Sequence, residues 1–194
     1  MTTSHWPFAA LLAFVAGFVD TVGFVGLFGL FTAHVTGNFV LIGASIAGSA
    51  TGVLAKLLAL PVFILAVALT ALYASHCEKT ARAAVPAVLI AQIVLLAAFL
   101  TAGAVFAPFT DGNEPLAILT GMIGVAAMAV QNAAGRTIFS TLSPTTVMTG
   151  NVTQVVIDLA VGKEGRGARL AKMTPPVAAF ALGAIGGGVG FAWI

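Results

Sequence analysis

The chain has 194 residues, of which 60% are hydrophobic and 7% charged, with a mean hydropathy of +1.10; an ordinary soluble domain carries about 25% charged residues. That balance excludes a soluble domain and makes this an integral membrane protein. The net charge of +2 and pI near 9.0 come from basic residues concentrated in short loops, which report membrane orientation and not nucleic acid binding.

Apolar runs separated by turn residues predict seven segments, 8–30, 36–50, 54–75, 83–107, 115–138, 146–162 and 174–194. The second and sixth are short. Residues 1–7 lack a positive leader region and a cleavage site, so 8 onward reads as a retained first span. Predicted breaks fall at Gly48 to Gly52, His76 to Arg82, Asp111-Gly-Asn-Glu-Pro115, Ser140 to Pro144 and Gly162 to Lys172. His5 and His76 lie at segment ends, and the single cysteine, Cys77, falls in the loop beside Lys79 and Arg82 with no redox or metal role implied.

Inside this apolar sequence, His34-Val-Thr-Gly-Asn38 returns as Val147-Met-Thr-Gly-Asn151. Gly37 and Gly150 permit a bend, while Thr36, Asn38, Thr149 and Asn151 can cap a helix start. The repetition extends further. Asp20 falls on Asn132 with an offset of 112, Thr36-Gly-Asn38 on Thr149-Gly-Asn151 and Lys56-Leu57 on Arg169-Leu170 with 113, and Pro61-Val62 on Pro176-Val177 with 115. The expected fold is an all-α polytopic membrane protein, a single domain of three segments (about 8–75), one linking segment (83–107) and the three-segment unit again (about 115–194).

If all seven segments cross, the best arrangement puts only five of the eight basic residues on one side. If 36–50 and 146–162 are half-helices that enter and leave by one face, the units are inverted. Lys79, Arg82, Arg136, Lys163, Arg166, Arg169 and Lys172 then share one side with only Lys56 opposite, and Asp111 and Glu114 face outward. The positive-inside rule favours this arrangement, five crossings plus two half-helices beginning at the Thr-Gly-Asn motifs, with loops 76–82 and 163–172 in the cytoplasm.

Gly17-Phe-Val-Asp20, Gly29-Leu-Phe31, His34-Val-Thr-Gly-Asn38, Gln131-Asn132 and Thr149-Gly-Asn151 together resemble the YoaK-like family of uncharacterised bacterial inner-membrane proteins. The resemblance runs nearly end to end. It implies a multi-pass protein of a bacterial plasma membrane and brings no assigned chemistry with it.

An aspartate at a helix centre costs about 2.5 to 3.5 kcal/mol on insertion scales. Asp20 therefore requires a partner or water, and it reads either as a proton or cation site or as a structural lock between helices. Arg136, one turn beyond Asn132, is the candidate partner. Asn151, Gln154 and Asp158 are spaced to share one helix face, and such a stripe must point into the bundle or a pore. Half-helix ends meeting near mid-membrane would offer positive dipoles to a polar or anionic solute, oriented by Thr36, Asn38, Thr149 and Asn151 and approached by backbone at Gly37 and Gly150. His34, opposed by Val147, can titrate near neutral pH or simply pack. Gly183, Gly186, Gly187, Gly188 and Gly190 read as close helix packing.

No metal-ligand cluster, phosphate loop or nucleophile elbow is present in the sequence, so neither an enzyme nor a cofactor is expected. The expectation is a small-solute transporter or channel, its site where the two triplets meet and its candidate proton-coupling group Asp20. The alternative is a non-transporting membrane protein that binds a partner or lipid and uses the motifs for packing. Five crossings enclose little volume, which makes a homo-oligomer plausible.

Overall fold

A computed structural model of the chain describes residues 6–48, 51–162 and 165–193. Among these residues it forms seven helices and no strand: α1 (Trp6–Gly26), α2 (Gly37–Ile46), α3 (Val53–Lys79), α4 (Val85–Phe106), α5 (Pro115–Thr137), α6 (Thr149–Val161) and α7 (Arg166–Trp193). Helices α1, α3, α4, α5 and α7 are long and apolar enough to cross a membrane. The protein is an all-α polytopic membrane protein, as its composition requires. His5 and Lys163 lie outside the described residues.

Local chemistry sets the helix ends. Proline opens α4 and α5 in the first turn, where no intrahelical amide is needed. Gly162 closes α6 in the left-handed conformation, its amide on the Asp158 carbonyl. Two predicted breaks are narrower than expected. The helical run of α3 continues through His76 and Cys77 to Lys79, so Cys77 is a buried helix residue and not a loop residue. Helix α7 starts at Arg166 and not at 174, because its charged first turns are good helix formers and Pro175 and Pro176 are carried inside the helix. At the other end of the first segment, α1 stops at Gly26, and Phe28 and Gly29 turn the chain with φ of 56° and 81°.

Contacts at the helix ends fix the direction of each span. At one end of the bundle, Lys56 Nζ near the start of α3 donates to the Phe28 carbonyl after α1 at 2.9 Å, and the Leu54 amide donates to Asn113 Oδ1 just before α5 at 3.1 Å. A β-carbon on Gly26 would lie 2.8 Å from the Phe191 ring, which places the end of α7 there too. At the opposite end the Phe8 and Phe139 rings sit 5.1 Å apart, and Ser143 Oγ donates to the Lys172 carbonyl at 3.1 Å. So α1, α4 and α7 run one way, and α3 and α5 the other.

The short helices do not span. By helix rise, α2 is about 15 Å long and α6 about 20 Å, against a hydrocarbon core of about 30 Å. Lys56 binds carbonyls at both limits of the intervening stretch, Phe28 and Thr51, so the chain between them leaves and returns at one end. The stretch between α5 and α7 does the same at the other.

Helix α5 is the most enclosed, with 61% of its apolar window buried against 11% for α3 and 17% for α7. The most extensive helix pairs are α1 with α7 and α3 with α5, while α2 packs on α3 and α6 on α7. The α1–α7 pair is a glycine contact. β-Carbons at Gly17 and Gly183 would overlap the backbone carbonyls of Phe180 and Phe14, and one at Gly187 would lie 2.6 Å from that of Phe18. Backbones touch there with no side chain between them. We expect Gly183→Leu to lower stability by about 1 to 3 kcal/mol, as overpacking does, whereas Gly103→Ala, whose β-carbon meets nothing within 4 Å, is neutral or slightly stabilising. Thermal unfolding of the two variants in detergent checks the contrast; equal melting temperatures would remove the close packing.

Candidate functional site

Each short helix is preceded by a non-helical loop, and an asparagine in the first turn of the helix pins that loop. Asn38 Nδ2 donates to the Phe31 carbonyl at 2.9 Å, and its Oδ1 accepts the Phe31 amide at 3.0 Å. Asn151 Nδ2 donates to the Pro144 carbonyl, also at 2.9 Å. Proline has no amide to donate, so the second clamp is single. The expectation that the triplets cap their helices is corrected here: neither Thr36 nor Met148, at the N-cap positions, makes a side-chain cap bond, because the asparagine reaches back seven residues instead. Gly37 lies under the Phe31 ring, where a β-carbon would be 2.8 Å away, while Gly150 faces open space. Thr36 and Thr149 are exposed.

The first loop is held by Asp20. Its Oδ1 accepts the amides of Thr32 and Ala33 at 2.8 Å each, that of His34 at 3.4 Å and the Thr32 hydroxyl at 3.3 Å. Asp20 lies six residues before the end of α1, so these amides reach about 9 Å back along the helix. The expected pair between Asp20 and Arg136 is not made. The carboxylate is met by backbone N–H groups, and Arg136, exposed near the end of α5, forms no ion pair among the described residues. The His34 side chain is exposed, its ring 5.7 Å from that of Phe31.

The second loop borders a cavity of about 270 Å³ lined by Gln131, Asn132, Arg136, Thr145, Thr146 and Val147, among others. Gln131 is 1% exposed and joins four parts of the fold. Its Nε2 donates to the Leu12 carbonyl of α1 at 2.8 Å and to Thr145 Oγ1 at 3.1 Å, while its Oε1 accepts Gln92 Nε2 of α4 at 2.6 Å. The predicted residues Gln131, Asn132 and Arg136 thus come together. Gln92, Thr145 and Thr146 join them without a motif in the sequence to single them out; a lone glutamine in the middle of an apolar span is the available signal for the first.

The polar face of α6 points inward, with Asn151 and Asp158 buried. Asp158 receives both arms of the Arg169 guanidinium, Nε at 2.9 Å and an Nη at 2.8 Å, and Gln154 Nε2 at 3.1 Å. Ser45, in the position that the expected repeat matches to Asp158, donates its hydroxyl to the Leu41 carbonyl at 2.8 Å. Lys56, which the expected repeat matches to Arg169, is 1% exposed and donates to the carbonyls of Phe28, Thr51 and Gly52. A second cavity, of about 430 Å³, opens beside it against Phe24, Phe28 and Leu41. Neither cavity is lined by a Thr-Gly-Asn triplet.

The family described as "Protein of unknown function (DUF1275)" matches residues 8–193. The chain belongs to that family. A curated relative, the UPF0700 transmembrane protein YoaK of Bacillus subtilis (strain 168), is 29% identical over 152 residues, 78% of this chain. The match spans 65% of the relative's own length. No solved structure matches the chain. A transmembrane relative accords with the five apolar helices, and the protein is a multi-pass membrane protein.

Removing the Asp20 carboxylate strands buried amides, each costing about 1 to 3 kcal/mol. Asp20→Ala should therefore lower stability by roughly 3 kcal/mol, and Asp20→Asn, which keeps an acceptor oxygen, by clearly less. Detergent unfolding of the two variants reads the difference; an Asp20→Ala protein as stable as wild type would dismiss the amide lock.

Proposed function

We propose that the protein is a small-solute transporter or channel of the bacterial plasma membrane, for a polar or anionic solute that binds in the cavity between α5 and the loop ahead of α6. The observation that carries this reading is that cavity, where buried Gln131 and a non-helical stretch of backbone, Thr145 to Val147, stand beside Asn132 and Arg136. Irregular backbone at membrane depth is tolerated where it is buried in protein or lines a wet space, and solute sites of transporters commonly lie at broken helices of repeated units.

Three observations support an inverted duplication. Both asparagine clamps reach seven residues back with the same 2.9 Å bond. The principal helix pairs exchange under the repeat, α1 with α7 and α5 with α3. Opposite ends of the bundle carry the two re-entrant stretches. With that topology Lys79, Arg82, Arg136, Arg166, Arg169 and Lys172 share one end with Lys56 at the other, so the basic end is assigned to the cytoplasm.

The triplets themselves serve to hold the loops, since Asn38 and Asn151 spend their amides on Phe31 and Pro144. Solute contact falls instead to the residues just before the second triplet. Proton coupling, where flux requires it, would run through Asp20. The test is a flux screen of small anions and neutral polar solutes in proteoliposomes. Wild type should move at least one of them well above protein-free vesicles, with Arg136→Gln and Asn151→Ala slowing it about tenfold, the effect of losing roughly 1.4 kcal/mol. A screen with no flux above the vesicle background, or flux indifferent to both substitutions, would overturn the reading.

A further inference from the structure

The two loops are each pinned by an asparagine seven residues on, and they lie beside opposite charges. In the first, a carboxylate from α1 sits on the amides of residues 32, 33 and 34. In the second, the matching amides belong to Thr145, Thr146 and Val147, the aspartate position is the neutral Asn132, and the position one turn on, Phe24 in the first unit, is Arg136. Among the described residues those three amides, the Asn132 side chain and the Arg136 guanidinium have no hydrogen-bond partner, and all five residues line one cavity. Its volume is about 270 Å³, far above the roughly 10–15 Å³ that one water requires on a probe measure.

We propose that this cavity binds a small monocarboxylate, its carboxyl group taking over the second loop the place that the Asp20 carboxylate takes over the first. This deepens the transport reading and rests on it for the location of the solute. The chain supplies its own template. An aspartate side chain ends in the same group as acetate, and in the first loop that group gathers three amides and a hydroxyl on one oxygen. Around the second loop the negative charge is missing and a positive one has been added, so an anion carrying a single charge restores the balance. Arg136 neutralises it, the loop amides orient it, and Asn132 offers a donor where a second carboxylate would repel. The apolar tail lies toward Leu142 and Pro144, which also line the cavity.

The test uses the full chain in detergent, with acetate as the probe and acetamide as its neutral isostere at constant ionic strength, read as the shift in melting temperature across a titration. Acetate should raise the melting temperature of wild type and acetamide should not. Arg136→Gln should weaken the apparent acetate affinity about tenfold or more, with Arg136→Lys retaining part of it. Asn132→Asp rebuilds the arrangement of the first loop; its melting temperature without ligand should rise and its response to acetate should vanish. Equal responses to acetate and acetamide, or a response unchanged in both Arg136→Gln and Asn132→Asp, would overturn the proposal. Acetate binding in a protein that moves no solute would uphold the carboxylate site and remove transport; flux of a neutral solute with no acetate response would do the reverse.

Discussion

Everything in this fold depends on how polar backbone is satisfied where the lipid offers no hydrogen bonds. A helix solves that problem internally, but two stretches of this chain abandon the helix inside the bundle and must be met by side chains. In the first, the lock is a charge: one oxygen of Asp20 gathers the amides of Thr32, Ala33 and His34, and the insertion cost of the aspartate is offset by the groups it satisfies. In the second, the lock is neutral. Gln131 bridges Leu12, Gln92 and Thr145, and Asn151 holds Pro144. Neutral amides can donate and accept together, so they tie several elements without carrying a charge into the bundle.

The surroundings of the two loops differ in charge. The first half keeps its acid against the loop and leaves its base, Lys56, to backbone carbonyls. The second half moves its acid to the helix, as Asp158, where Arg169 meets it with both arms, and leaves a base, Arg136, beside the loop. Serine at 45 and asparagine at 132 are the positions where the charge is absent in each half. On the proposed duplication, the charges around the loops have diverged while each loop retains its asparagine clamp.

Much of this was legible in the residues. Composition dictated the membrane class, and the two short apolar runs flagged the half-length helices, since their length alone falls short of a bilayer. The asparagines of the triplets also stood out, although their job was misjudged: capping is the commonest use of asparagine at a helix start, and only three dimensions reveal that the side chain turns back to a carbonyl seven residues earlier. Asp20 was recognised as needing a partner, but a search among charged side chains overlooks backbone amides, which carry no letter in a sequence. Gln92 was hidden for a related reason. Its partner, Gln131, lies 39 residues away on a neighbouring helix, and only the packing of α4 on α5 brings them together. The start of α7 at Arg166 is hidden because charged residues in the first turns of a long helix look like a loop beside apolar spans.

The glycine seam between α1 and α7 ties together two helices that have five other described helices between them in the chain. While the intervening helices are being synthesised, the small-residue face of α1 around Gly17 has no native neighbour and must wait in lipid or against the insertion machinery. Synthesis of α7 therefore completes this seam, and a chain cut short before α7 would leave α1 without the surface it was shaped to meet.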